Sequence, residues 1–251
     1  MNSIELHGVN KYFGDHHAVR DLSFKVPEGT VYGFLGPNGA GKTSTIRMIM
    51  SILYPDSGDL TVLGDSMPER VKDRLGYLPE EKGLYKKMKT RDLITYFGTL
   101  KGMSRREATK RARLLLDQFG LLDCEDLHCE GLSKGMGQKV QIIATLIHDP
   151  DLVILDEPFS GLDPINVELV REIILDLRSK GKTVVFSTHI MEQAEQICDS
   201  ILLVNEGRKI LDGSVTDLKR EFEPTLLLEY DGDPDSLHQP AGRTPTRTDH
   251  R

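Results

Sequence analysis

Residues 31–43 read Val31-Tyr32-Gly33-Phe34-Leu35-Gly36-Pro37-Asn38-Gly39-Ala40-Gly41-Lys42-Thr43. The first five are a short apolar run between Gly29 and a glycine-rich stretch, the pattern of a buried strand. A helical period follows, with Ile46, Ile49, Met50 and Leu53 at i, i+3, i+4 and i+7. Pro55 and Gly58 are expected to end that helix. Between strand and helix, Gly36 to Thr43 fits G-x-x-x-x-G-K-[ST] in the context the motif requires. Its glycines let the backbone bend so that N–H groups converge on phosphate oxygens. The helix N-terminus adds the positive end of its dipole. Lys42 is then placed to reach β- and γ-phosphates and Thr43 to put its hydroxyl on Mg²⁺. Gly36, Pro37, Asn38, Gly39, Ala40, Gly41, Lys42, Thr43 and the following Ser44 form the candidate phosphate cradle.

Outward from this stretch, residues 59–63 and 74–78 read as further strands, closed by Gly64 and Pro79. From about 84 to 149 the period is helical throughout. Ala108, Ala112, Leu115, Leu116 and Phe119 share one helix face, and Ile143, Leu146 and Ile147 share another. The four apolar residues Leu152-Val153-Ile154-Leu155 then suit a central strand. Val170, Ile173, Ile174 and Leu177 make a helix stripe. Thr183-Val184-Val185-Phe186-Ser187 is a further buried strand, and Met191, Ala194 and Cys198 suggest a short helix. Residues 201–204 and 208–211, joined around Asn205-Glu206-Gly207, read as a hairpin. Continuous apolar strands separated by helices predict an α/β fold, a mainly parallel sheet covered on both faces.

Two more signals fall at strand ends. Asp156-Glu157 follows the 152–155 run, at the carboxyl edge where open α/β sheets bind ligands. Asp156 suits the Mg²⁺-holding role, and Glu157, one residue on, suits polarising an attacking water. Ser187-Thr188-His189 ends the third buried strand on the same side, which places His189 for a γ-phosphate or water contact.

The 251 residues correspond to one large domain or two small ones at about 150 residues per domain. With 32 Lys+Arg against 39 Asp+Glu the formal charge is −7, which argues against a chain held on nucleic acid by bulk charge. Three cysteines, Cys124, Cys129 and Cys198, make no disulfide framework, so a reducing compartment is expected. Cys124, His128 and Cys129 lack the fourth ligand and the spacing of a zinc site. No run of about 18 apolar residues is present to span a bilayer. Residues 1–17 lack the apolar core of a signal peptide.

Taken together, the motifs resemble the nucleotide-binding subunit of ABC transporters, over residues 2 to 222. Walker A is GPNGAGKT at 36–43 and Walker B is LVILDE at 152–157. Ser160-Gly161-Leu162-Asp163 is similar to the D-loop, and His189 matches the switch histidine. Leu132-Ser133-Lys134-Gly135-Met136-Gly137-Gln138 stands in the place of the LSGGQ signature. The resemblance implies a P-loop NTPase core, an N-terminal antiparallel β-subdomain and a helical subdomain over 84–149. It also implies a head-to-tail dimer, of two copies or of this chain and a related subunit, holding two ATP with Mg²⁺. In that dimer Ser133 and Gly135 of one chain touch the γ-phosphate held by the other, and Asp163 lies at the shared site. Glu157 is then the general base and His189 holds phosphate and water in line. An aromatic before Gly14 is expected to stack on adenine, Phe13 by register with Tyr12 as the fallback. The implied partner is a separately encoded membrane permease, which would hold this chain at the cytoplasmic face of the membrane. No nucleic-acid partner is expected.

The chain departs from the family pattern twice. Lys134 and Met136 replace the usual Gly and Gln of the signature, and Glu80 replaces the Q-loop glutamine, where a carboxylate can still ligate Mg²⁺. Both departures, with the run Glu80-Glu81-Lys82-Gly83-Leu84-Tyr85, resemble a bacterial subgroup that includes sodium-export and drug-export ATPases. Segment 84–88, with Tyr85 exposed beside Lys86 and Lys87, is expected to receive the permease's coupling helix. Residues 223–237 resemble the start of a C-terminal accessory region cut short here, and 238–251 are expected to be disordered.

Other classes fit less well. Soluble ATPases of this family that act on ribosomes or DNA generally carry paired nucleotide domains, coiled coils or zinc modules, none of which the sequence shows. A GTPase needs an N-K-x-D-like motif, whereas Asn10-Lys11 is followed by Tyr12-Phe13. A non-hydrolysing regulator is opposed by intact Lys42, Asp156, Glu157 and His189, while Lys134 and the short tail keep it open; the alternative to a transport subunit is a soluble ABC-type ATPase regulator not involved in transport.

Overall fold

The computed structural model describes residues 1–80 and 83–221. The chain runs through β1 (Asn2–Phe13), β2 (His16–Pro27), β3 (Val31–Leu35), α1 (Lys42–Ile49), β4 (Ser57–Val62) and β5 (Leu75–Leu78). Three helices follow, α2 (Thr90–Leu100), α3 (Arg105–Gln118) and α4 (Lys134–Leu146). The chain then makes β6 (Leu152–Leu155), α5 (Pro164–Ser179), β7 (Thr183–Thr188) and α6 (Met191–Ile197). It closes with β8 (Ser200–Asn205), β9 (Arg208–Ser214) and α7 (Val215–Glu221).

Two sheets result. The larger has the order β5-β6-β7-β3-β8-β9, parallel except for the β8–β9 hairpin. The smaller is antiparallel, in the order β2-β1-β4. Side chains alternate across a strand, so a strand buried on both faces must be apolar throughout. Val31, Leu35, Val153, Leu155, Val184 and Phe186 accordingly face one core, with α2 to α6. Tyr32, Phe34, Leu152, Ile154 and Val185 face the other, with α1 and the antiparallel sheet. The glycine-rich loop leaves β3, at the centre of the large sheet.

Between β5 and β6 the described chain consists of helices, short 3-10 turns and loops, with no strand and one isolated bridge pairing Lys89 with His128. Ala108, Ala112 and Leu116 are fully buried, as are Ile143 and Ile147. α3 starts at a capping box: Glu107 N–H donates to Ser104 Oγ, and the Glu107 carboxylate accepts from the Ser104 N–H. The Asp163 side chain caps α5, with Pro164 in its first turn.

Several boundaries differ from the sequence reading. α1 ends at Ile49, because Ser51 takes φ +53° and turns the chain out of the helix. Leu53 therefore packs on the core from the following turn. β4 starts at Ser57 rather than 59 and stops at Val62, because Leu63 adopts φ +49°. Arg74 ends a 3-10 turn and β5 begins after it. Cys198 lies just past α6. Helix α7 was not in the sequence reading. Residue 222, the expectations for 223–237 and 238–251, and Glu81-Lys82 lie outside the described residues. Among the described residues no helix is long and apolar enough to cross a membrane.

Candidate nucleotide site

Four neighbouring parallel strands bring the candidate residues to one sheet edge. In register, Leu78 pairs with Leu155, Leu155 with Phe186 and Leu35 with Thr188. Glu80 follows β5, Asp156-Glu157 follow β6, Ser187 lies near the end of β7 with His189 just past it, and the glycine-rich loop follows β3. A cleft of about 410 Å³ opens there, lined by Phe13, His16 and Ala18, by residues 38–44, and by Glu80 and Glu157.

The loop has the build of an anion cradle. Gly41 sits at φ +101°, and a Cβ there would meet the Ala18 carbonyl at 2.6 Å, so only glycine fits. Lys42 opens α1 and is nearly buried. Its ammonium donates to the carbonyls of Gly36 at 2.6 Å and Pro37 at 3.1 Å, and lies 3.8 Å from Glu157 Oε1. Gly36 and Pro37 thus orient the lysine, while Asn38, Gly39, Ala40, Gly41, Thr43 and Ser44 line the cleft.

The acidic pair is held by Ser187. Its hydroxyl donates to Asp156 Oδ1 at 2.6 Å and accepts from the Glu157 N–H at 2.9 Å. Asp156 Oδ2 is buried with no protein partner. A buried carboxylate oxygen left open at the same sheet edge as the glycine-rich loop fits a divalent cation, and Thr43 and Glu80 line the cleft at that edge. Burial first, and then the Asp156 charge, push the Tyr77 phenol up to about 12, so it stays protonated. Glu157 stands at φ +48°, a conformation a side-chain-bearing residue keeps only when its surroundings enforce it. His189 Nδ1 is 3.2 Å from both Glu157 carboxylate oxygens. A carboxylate can only accept, so Nδ1 carries the proton.

Phe13 and Tyr12 separate clearly. Tyr12 stacks on His17, with ring centroids 3.9 Å apart, and its N–H is bound by Asp56. Phe13 lines the cleft with 46% of its surface exposed, which rules out the core-packing role for that ring.

Ser133, Gly135 and Asp163 do not line this cleft. Ser133 caps α4, its hydroxyl accepting from the Met136 N–H at 3.3 Å. Asp163 accepts from the Asn166 backbone and side chain, and those bonds hold its carboxyl below the usual carboxylate range. A Cβ on Gly135 would lie 2.5 Å from the Asn166 amide, so the first turn of α4 packs tightly on that of α5. The Lys134 side chain rests over Gly161.

Sequence reasoning gave no role to Ser187 or Gln138 and did not place His16 or Ala18 at the cleft. Ser187 had a signal: a hydroxyl at the end of a strand otherwise apolar and β-branched.

The comparisons agree with this geometry. The family profile described as ABC transporter matches residues 19–160. An uncharacterized ABC transporter ATP-binding protein of Bacillus subtilis, YhaQ, is 44% identical over 85% of this chain and 72% of its own length. The Nod factor export ATP-binding protein I of Burkholderia lata is 37% identical over 93% of this chain and 78% of its own length. A solved structure of the ATP-binding subunit of an ABC transporter superposes with a TM-score of 0.79 at 31% identity, covering 87% of this chain and 92% of that one. ATP-binding proteins of this family are ATPases and work with membrane permease components. The chain belongs to the ABC transporter ATP-binding proteins.

Proposed function

We propose that residues 1–222 form an ABC-type ATPase domain, with 84–149 as its helical subdomain, that powers an exporter as a head-to-tail dimer. The observation that carries this reading is the separation of two half-sites. The cleft is lined by the loop, Glu80 and Glu157, with Asp156 behind it on the Ser187 hydroxyl and His189 on the Glu157 carboxylate. The start of α4, with Ser133 and Gly135 and no acidic residue in its first turn, lies apart from it. A helix N-terminus of that kind suits an anion. A second chain, turned head to tail, completes each cleft with its own Ser133, Gly135 and Asp163.

Each residue then has a task. The loop N–H groups and Lys42 hold the ATP phosphates, and Phe13 stacks on adenine. Thr43, Asp156 and Glu80 hold Mg²⁺, which when bound offsets the charge of the β- and γ-phosphate oxygens. Glu157 takes a proton from water as that water's oxygen bonds to the γ-phosphorus and the bond to ADP breaks. His189 keeps the carboxylate and the γ-phosphate in line.

Export is supported by a relative named for export. Tyr85 is exposed and packs edge-on against Tyr96, with ring centroids 6.0 Å apart, beside Lys86 and Lys87. That face is our candidate for the permease contact, which would hold the chain at the cytoplasmic side of the membrane. The net charge of −7 supports a reading without nucleic acid.

The test is size exclusion of the Glu157→Gln chain with Mg²⁺ and ATP. A shift from monomer to dimer that needs ATP and is lost in Ser133→Ala supports the reading. A chain that stays monomeric while ATP is bound overturns it.

A further inference from the structure

Gln138 lies in the second turn of α4 and is only 2% exposed. Its Nε2 donates to the Pro158 carbonyl at 3.0 Å, and its Oε1 is buried without a partner. The carbonyl can only accept, so the amide nitrogen must be the atom that faces it. A methionine or leucine of similar size would fill this space without the unpaired Oε1, but would leave the Pro158 carbonyl without its donor.

The Pro158 carbonyl belongs to the residue after Glu157, whose backbone is in the left-handed region at φ +48°. Two side chains clamp that turn from either side. Ser187 Oγ accepts from the Glu157 N–H at 2.9 Å, and Gln138 holds the carbonyl that follows. Gln138 also helps join α4 to residues 157–166. Gly135 against Asn166 and Lys134 over Gly161 join the same two segments.

We infer that Gln138 is a positioning residue for ATP hydrolysis: its amide fixes the turn at Glu157 and ties that carboxylate to the helix that begins at Ser133. This rests on Glu157 being the general base. The amide touches neither nucleotide nor water in this role. It sets where the Glu157 carboxylate points relative to Lys42 and His189.

The test is steady-state ATP turnover of the full chain as Gln138→Met, which removes the donor, and as Gln138→Glu, which sets an acceptor against the Pro158 carbonyl. Wild type and Glu157→Gln are measured alongside. A base misplaced by about 1 Å lowers kcat by about 10- to 100-fold, and that is the expected loss. KM for ATP stays within about twofold, because the phosphate cradle is untouched. The ATP-trapped dimer still forms when Gln138→Met is combined with Glu157→Gln. The second variant decides the matter if the first does not fold. The inference is overturned if kcat stays within about twofold of wild type in the folded variants. It is also overturned if kcat, KM and dimer formation fail together, since the amide would then only pack α4. Full turnover in Glu157→Gln would instead remove the base reading, and this inference with it.

Discussion

The Lys42 ammonium lies 3.8 Å from Glu157 Oε1, and both side chains are nearly closed to water. The lysine is held by the Gly36 and Pro37 carbonyls, at the start of the loop whose residues 38–44 line the same cleft. Lys42, after β3, and Glu157, after β6, thus face each other although different residues hold them: the Gly36 and Pro37 carbonyls hold the lysine, and Ser187 and His189 hold Glu157.

Lys42→Ala removes a charged donor from the cradle. A hydrogen bond to a charged group is worth about 1.5–3 kcal/mol, so ATP affinity falls about 10- to 100-fold. Isothermal titration calorimetry checks this, and unchanged affinity would place the phosphates elsewhere.

Phe13→Ala weakens ATP and ADP alike, because the ring meets the base and not the phosphates. Base stacking on an aromatic side chain contributes about 1–3 kcal/mol. Tyr12→Ala leaves affinity within about twofold, since that ring is spent on His17. A larger effect at Tyr12 than at Phe13 would reverse the assignment.

Ser187→Ala strips a partner from Asp156 Oδ1 and from the Glu157 N–H. Two buried polar groups are left unpaired, at about 1–3 kcal/mol each. The urea midpoint falls, and the Mg²⁺ concentration for half-maximal turnover rises as Asp156 loses its orientation. Ser187→Thr keeps the hydroxyl and restores both. A Mg²⁺ dependence unchanged in Ser187→Ala would leave Ser187 a packing residue only.

The site was legible in the sequence where its chemistry is local. The loop at 36–43 sits between a strand and a helix within one short segment, and Asp156-Glu157 directly ends an apolar run. The contacts of Ser187 and Gln138 were not legible, even though the Ser187 hydroxyl stood out in its strand, because their partners lie 30 and 20 residues away in sequence. The fold followed the same rule. β3, β6 and β7 are buried on both faces and read as apolar runs. β1 and β2 pair through several register shifts, which break the two-residue alternation that marks a half-buried strand. Their antiparallel pairing came only from the family resemblance. Helix α1 was read one turn too long because nothing in its apolar period shows that Ser51 turns left-handed.

His148 gives the chain an acid-sensitive joint between α4 and β5. Its Nε2–H donates to the Leu75 carbonyl at 3.0 Å, and Nδ1 is buried without a partner. Burial lowers its pKa below the ordinary 6.5, against the pull of that carbonyl. The unfolded chain therefore binds this proton more readily, and stability rises with pH. The contribution is complete above about 6.5 and is lost as pH falls through that value toward the lower folded pKa. Urea midpoints between pH 5 and 8 test this: His148→Gln, which can still donate to Leu75, flattens the acid limb relative to wild type. An identical acid limb in both would assign it to other groups.

The most direct measurement is ATP turnover by the purified chain with Mg²⁺, over a range of protein concentrations, beside Glu157→Gln. The account predicts turnover per chain that rises with concentration, because each cleft needs a second copy. It also predicts a loss of at least about 100-fold in Glu157→Gln with ATP still bound, the scale of a removed general base. Turnover per chain independent of concentration and undiminished in Glu157→Gln would contradict both the shared site and the base.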